Sequence, residues 1–193
     1  MKRRVLLVLA IIAAFSATPS AFAAGDAEKP SDDDTYDQDT VLRDAEEFFG
    51  KGAEGLAKVI EKAFKDNGRP NGYIKGQEVA GAITVGLNYG DGTLVMKNAR
   101  SRHVFWTGPS VGFDLGANAA KVFTLVYNLP KPNSIFIRFP AVDGSFYYVG
   151  GVGINYQRRN GITLAPIRLG VGLRAGASIG YLHYTAKKRY LPF

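Results

Sequence analysis

Gly108-Pro109-Ser110-Val111-Gly112 matches the G-x-S-x-G pattern of a serine nucleophile on a sharp elbow, and Asp143 and His183 follow in the chain order that α/β-hydrolases use. Acyl transfer to Ser110 is the chemistry that such a set would carry. The elbow, however, needs a strand leading into a tight turn and then a helix. Ser110 instead opens an alternating stretch through Val111, Phe113 and Leu115, with no βα repeats around it. Three common residue types in order are cheap to find by chance, and the stretch reads as a Gly-Pro turn entering a strand. No catalytic residue is assigned.

Metal and phosphate chemistry find equally little support. The chain has two histidines, His103 and His183, and no cysteine, so a zinc site would need carboxylates at unmarked spacing. Asp32, Asp33, Asp34, Asp37 and Asp39 have the composition of a calcium loop, but lack its glycine and its terminal glutamate at the required offsets. Gly150-Gly151-Val152-Gly153 lacks the G-x-G-x-x-G spacing and reads as glycine within strands. No metal or cofactor is expected.

Cations and aromatic rings do mix, at Arg100, Arg102, His103, Phe105 and Trp106 and again at Lys187, Lys188, Arg189, Tyr190 and Phe193. Such a mixture suits an anionic partner, for example a lipid headgroup or a lipopolysaccharide phosphate. Arg102, Phe105, Trp106, Lys187, Lys188 and Arg189 are the candidate ligand-binding residues. The competing reading is scattered surface charge around a core tryptophan.

The elements that must position these residues begin after an export signal. Lys2, Arg3 and Arg4 precede the apolar run Val5 to Phe15, and Ala21-Phe22-Ala23 supplies an A-x-A cleavage site, so residues 1–23 read as a signal peptide and the mature chain as periplasmic. Its apolar run is too short for a membrane span of roughly 20 residues. Removing it takes away three of 24 basic side chains and none of the 17 acidic ones. The high pI therefore belongs partly to a discarded segment, and a nucleic-acid partner is not expected.

Residues 24–39 read as a flexible acidic leader, and residues 40–193 as a single domain. Val41, Leu42, Ala45, Phe48 and Phe49, then Leu56, Val59, Ile60, Ala63 and Phe64, recur at spacings of three and four, which predicts two short amphipathic helices or one kinked helix. Asp39 or Thr40 can cap the first, and Asn67-Gly68 with Pro70 stops the second.

Beyond Gly72 the period becomes two. Ile83, Val85, Leu87 and Tyr89 lead into Gly90-Asp91-Gly92, which predicts a hairpin turn, with Leu94 and Met96 returning. Alternation recurs at Val122 to Tyr127, along Phe146 to Tyr156, and from Ile167 to Tyr181, where the even phase is small or polar; Arg158-Arg159-Asn160-Gly161 predicts a second turn. Glycine weakens strands unless the sheet curves sharply or backbones approach closely. The expected fold is therefore mainly β: a small soluble antiparallel β-barrel of about 8–10 strands with an N-terminal amphipathic helical segment.

An outer-membrane β-barrel is the rival architecture, with a terminal aromatic at Phe193. Lys121 and Pro166 interrupt the apolar rows that lipid-facing strands of about 9–11 residues require.

The stretches Gly72 to Glu78, Gly86 to Leu94 and Trp106-Thr107-Gly108-Pro109-Ser110-Val111-Gly112-Phe113-Asp114 resemble the bacterial envelope integrity protein A family, over about Thr40 to Tyr190. The resemblance implies a periplasmic β-barrel with a short helix, needed for cell-envelope integrity and without established catalytic residues. The helix followed by glycine-rich strands is more remotely similar to the lipid-binding SYLF superfamily. Together these imply a non-enzymatic protein whose partners are envelope components, whether lipid, lipopolysaccharide or envelope proteins, with peripheral membrane association.

Overall fold

The computed structural model describes residues 32–50, 54–81, 85–111, 119–170 and 180–189. The signal peptide and residues 24–31 of the acidic leader lie outside the described residues.

Two helices come first, α1 (Gln38–Phe49) and α2 (Leu56–Asn67). The helix begins earlier than the Asp39 or Thr40 cap predicts: Asp37 is the N-cap, accepting from the Thr40 amide at 2.8 Å and from Thr40 Oγ1 at 2.9 Å. The end of the acidic stretch is also tied down, since Thr35 is buried, Arg69 Nε donates to its hydroxyl at 2.9 Å, and the Tyr36 amide donates to the Pro70 carbonyl. Asp37→Ala should lose about 1 kcal/mol of stability in urea melts, while Asp37→Asn, also a good cap, keeps most of it.

Ten antiparallel strands follow among the described residues: β1 (Gly72–Gly81), β2 (Val85–Met96), β3 (Ala99–Val111), β4 (Ala120–Tyr127), β5 (Arg138–Pro140), β6 (Tyr147–Val149), β7 (Val152–Ile154), β8 (Gln157–Arg159), β9 (Ile162–Leu169) and β10 (Tyr181–Thr185). They form one sheet in the order β5-β10-β3-β2-β1-β4-β9-β7-β6, with β8 also on β9. The sheet curls until its ends meet, where Ala141 bridges Gln157 and the Val142 amide donates to the Tyr156 carbonyl at 2.9 Å. The result is barrel-like.

Gly90-Asp91-Gly92 is not a turn. β2 runs straight through it, pairing with β1 on one side and β3 on the other, and the reversal comes at Lys97-Asn98. Nor is Gly108-Pro109 a turn, because both lie inside β3, opposite Asn88 and Leu87. The Phe146 to Tyr156 stretch is two strands, broken where Gly150 and Gly151 adopt φ of 54° and 79°. The Asn160-Gly161 turn is as predicted, with φ of 52° and 77°. β9 ends at Leu169, before Gly170 with its φ of 71°, and residues 171–179 of the predicted alternation toward Tyr181 lie outside the described residues.

Two apolar cores lie on opposite faces of the sheet. Inside the curl, Ile74, Leu94, Val104, Val122, Leu164, Phe139 and Tyr184 pack together. Outside it, Val59 and Ile60 of α2 and Val41 of α1 cover Tyr73, Phe123, Leu125, Ile154 and Ile167. β4 and β9 are consequently buried on both faces, which is why Arg168 and Pro166 of the even phase are interior. Lys121 Nζ donates to the Phe48 carbonyl at 2.8 Å, placing a cation at the C-terminus of α1 where the helix dipole favours it.

This arrangement overturns the outer-membrane alternative. The outward rows of β1, β4, β7 and β9 are occupied by helices, and β5 to β8 are three residues each, far short of a bilayer crossing. Among the described residues no helix is long and apolar enough to cross a membrane.

Candidate functional site

Tyr184 of β10 pairs with Trp106 of β3, so the residues after β10 are delivered onto the outer side of the β1–β2–β3 sheet. There a groove of about 310 Å³ is lined by Gln77 and Val79 from β1, Tyr89 and Asp91 from β2, Phe105 from β3, and Lys188 and Arg189, with Gly90 and Trp106 also in its wall. Val79 is the one large apolar side chain counted as exposed among the described residues, at 38%. Asp91 has its own neighbour, His103, at 3.7 Å, and the His103 ring stands edge-on to Phe105 at 4.6 Å.

Of the six candidate ligand-binding residues, Phe105, Trp106, Lys188 and Arg189 line this groove. Arg102 lies farther along β3, with its guanidinium over the Phe136 ring at 5.1 Å. Lys187 is exposed beside the groove, and its carbonyl accepts from Thr185 Oγ1 at 2.7 Å. Trp106 is itself a core residue, 3% exposed.

Beneath the groove the interior is polar in a way the sequence reading missed. Glu78, Gly90 and Trp106 stand in register on β1, β2 and β3. Gly90 has no side chain, and the indole lies across it, with Nε1 donating to Glu78 Oε2 at 3.3 Å. Asn88 Nδ2 donates to the same oxygen at 3.1 Å. From the other side Arg168 of β9 grips the carboxylate with both Nε and Nη2, and its Nη1 donates to Asn155 Oδ1 at 3.0 Å.

Burial by itself pushes the Glu78 carboxyl up, but the Arg168 charge and the three donors together hold it below the ordinary carboxylate value. Burial likewise works against the Arg168 cation, and Glu78 overcomes it. Tyr184, packed on Trp106 at 5.7 Å, is driven up by burial and stays neutral. The signal for this pair was a lone arginine in Ile162–Leu169, a run otherwise without charge. A lone charge in such a run calls for a buried partner.

The hydrolase set is not assembled as an elbow. Ser110 continues β3 opposite Gly86, His183 sits in β10 opposite Thr107, and Asp143 is exposed next to the Gly144 turn. β3 runs through Ser110 to Val111, where the motif demands a sharp turn out of the strand, and residues 112–118 lie outside the described residues. Among the described residues no group of three or more His, Asp or Glu is placed to hold a metal ion.

Comparison with known proteins agrees with this architecture. No curated protein matches the chain. Among solved structures it is similar to a β-barrel-like protein from Brucella abortus, seen in a crystal structure, with 45% identity over 83% of this chain and 99% of that one and a TM-score of 0.77. The model of the family described as Envelope integrity protein A matches residues 34–193. With most of its length matched, the chain belongs to the Envelope integrity protein A family.

Proposed function

We propose that this protein is exported to the periplasm and supports the cell envelope without covalent chemistry, holding an anionic envelope component, a lipid or lipopolysaccharide phosphate, against the groove over β1–β3. The observation that carries this reading is the convergence of Lys188 and Arg189, far apart from Phe105 and Tyr89 in the chain, onto one aromatic-walled groove. Cations supply the attraction, and amphipathic side chains sit well at a headgroup interface. The charged start, apolar run and A-x-A site of residues 1–23 support export. The membership in an envelope-integrity family supports the biological setting.

Sedimentation with vesicles tests it. The chain should bind phosphatidylglycerol-containing vesicles over pure phosphatidylcholine, more weakly as salt rises. At about 1 kcal/mol per cation near an anionic surface, Lys188→Ala combined with Arg189→Ala should weaken binding roughly 30-fold. Equal binding to neutral vesicles, or an unaffected double variant, would overturn the reading.

A further inference from the structure

A second concavity lies at the other end of β2, where Met96 leads into the turn to β3. It measures about 990 Å³ and opens between that turn, the segment after β4 and the β8–β9 turn. Gly90 and Met96 are six residues apart on an extended strand, so at ~3.3 Å per residue this cleft is distinct from the groove. The volume is that of a small-molecule site.

Its wall is unusual in chemistry. Asn67, Asn71, Asn98, Asn128 and Asn160 all line it, brought together from separate parts of the chain. Two of them are committed to the protein. Asn71 exchanges two hydrogen bonds with the Leu129 backbone, at 2.8 and 3.2 Å, and Asn67 accepts from Arg158 at 2.9 Å and donates to the Ala63 carbonyl at 3.4 Å.

The other three retain capacity. Among the described residues Asn98 and Asn128 use only their Nδ2 groups, toward Asp34 and the Gly161 carbonyl, which leaves both Oδ1 atoms as acceptors. The Asn160 amide makes no bond to the described residues, leaving two donor hydrogens and an acceptor. Among the described residues of the lining, Asp34 and Lys131 are the two charged ones and balance one another, while Met96, Pro130 and Pro132 contribute apolar surface.

An anion would find no excess of cations here, and a hydrocarbon would find too many amides. Uncharged donors and acceptors beside a small apolar surface match a sugar, which presents hydroxyls at its rim and C–H groups on its ring face. We propose that this cleft binds a neutral oligosaccharide, its hydroxyl or acetamido groups paired with Asn98, Asn128 and Asn160 and a ring face resting on Met96 and Pro130.

The site does not depend on the groove, and the experiment separates them. The purified chain is titrated with triacetylchitotriose, with maltotriose and with inorganic phosphate while its asparagine side-chain amides are followed by ¹⁵N NMR. One or both sugars should move the resonances of Asn98, Asn128 and Asn160; a response to the acetylated trimer alone identifies acetamido sugars, and a response to maltotriose identifies the hydroxyls as sufficient. Asn128→Gly and Asn160→Gly keep the positive φ of these positions, 56° and 52°, while removing the amide. Each should weaken sugar binding about 3- to 10-fold, the range for one lost hydrogen bond. Shifts with phosphate alone, sugar shifts mapping away from the cleft, no response to either sugar, or glycine variants that fold and bind as the parent does would each overturn the assignment.

Discussion

Glu78→Gln should lower the stability of this protein by about 3–5 kcal/mol, the range for removing one partner of a buried ion pair. The substitution leaves the Arg168 cation without its counter-charge in a site where its side chain is 3% exposed. It also replaces one carboxylate oxygen, an acceptor for Arg168, Asn88 or Trp106, by an amide donor. Urea unfolding measures the loss, and a midpoint within error of the parent would mean that the pair contributes nothing. Replacing both partners by apolar groups, Glu78→Leu with Arg168→Met, should recover much of the deficit, since no buried charge then remains unpaired.

The same pair makes an acid prediction. Glu78 titrates below its ordinary value of 4.5 in the folded protein, so between the two values the unfolded chain binds the proton more readily. The stability that the pair contributes is therefore complete above the ordinary value and is lost as pH falls through the folded one. Glu78→Gln should flatten that part of the acid slope and leave the neutral region at its uniformly lower level.

What could be read from the residues follows the range over which each signal acts. Both helices were legible because their apolar spacing is local, and the Asn160-Gly161 reversal because positive φ is a property of two adjacent residues. Gly90-Asp91-Gly92 carries the same local signal as a hairpin, yet what decides its conformation is the indole of Trp106 arriving from the neighbouring strand. Gly108-Pro109 carries the local signal of a turn yet lies inside a strand for a similar reason. Gly108 has no side chain because the Tyr181 carbonyl of β10 presses against it, a contact invisible before the strand order is known. The aromatic and basic types in the groove were legible, but their meeting requires β10 to pair with β3. Glu78 and Arg168 are 90 residues apart, and neither residue type announces the other at that distance.

Gly90→Ala should be a costly addition of a single methyl group. A Cβ at position 90 would fall within the Trp106 indole, and one at Gly76 would meet its Cη2 at 2.6 Å and the Asp91 carbonyl at 2.5 Å. The indole cannot slide away without breaking its Nε1 bond to Glu78 or its packing on Tyr184. Overpacking costs about 1–3 kcal/mol, and loss of the hydrogen bond to a charged acceptor adds about 1.5–3 kcal/mol. Trp106 is the single tryptophan of the chain, so its fluorescence reports the event directly. Emission should shift to the red as the indole is displaced, and the urea midpoint should fall with it. Trp106→Phe in the Gly90→Ala background shortens the ring that collides with the new methyl, and the double variant should then lose less than the sum of the two single losses, because the clash is relieved and the lost Nε1 bond to Glu78 is counted only once. An unshifted emission spectrum with an unchanged midpoint would show that the strand accommodates a side chain at position 90, and the absence of one there would need another cause.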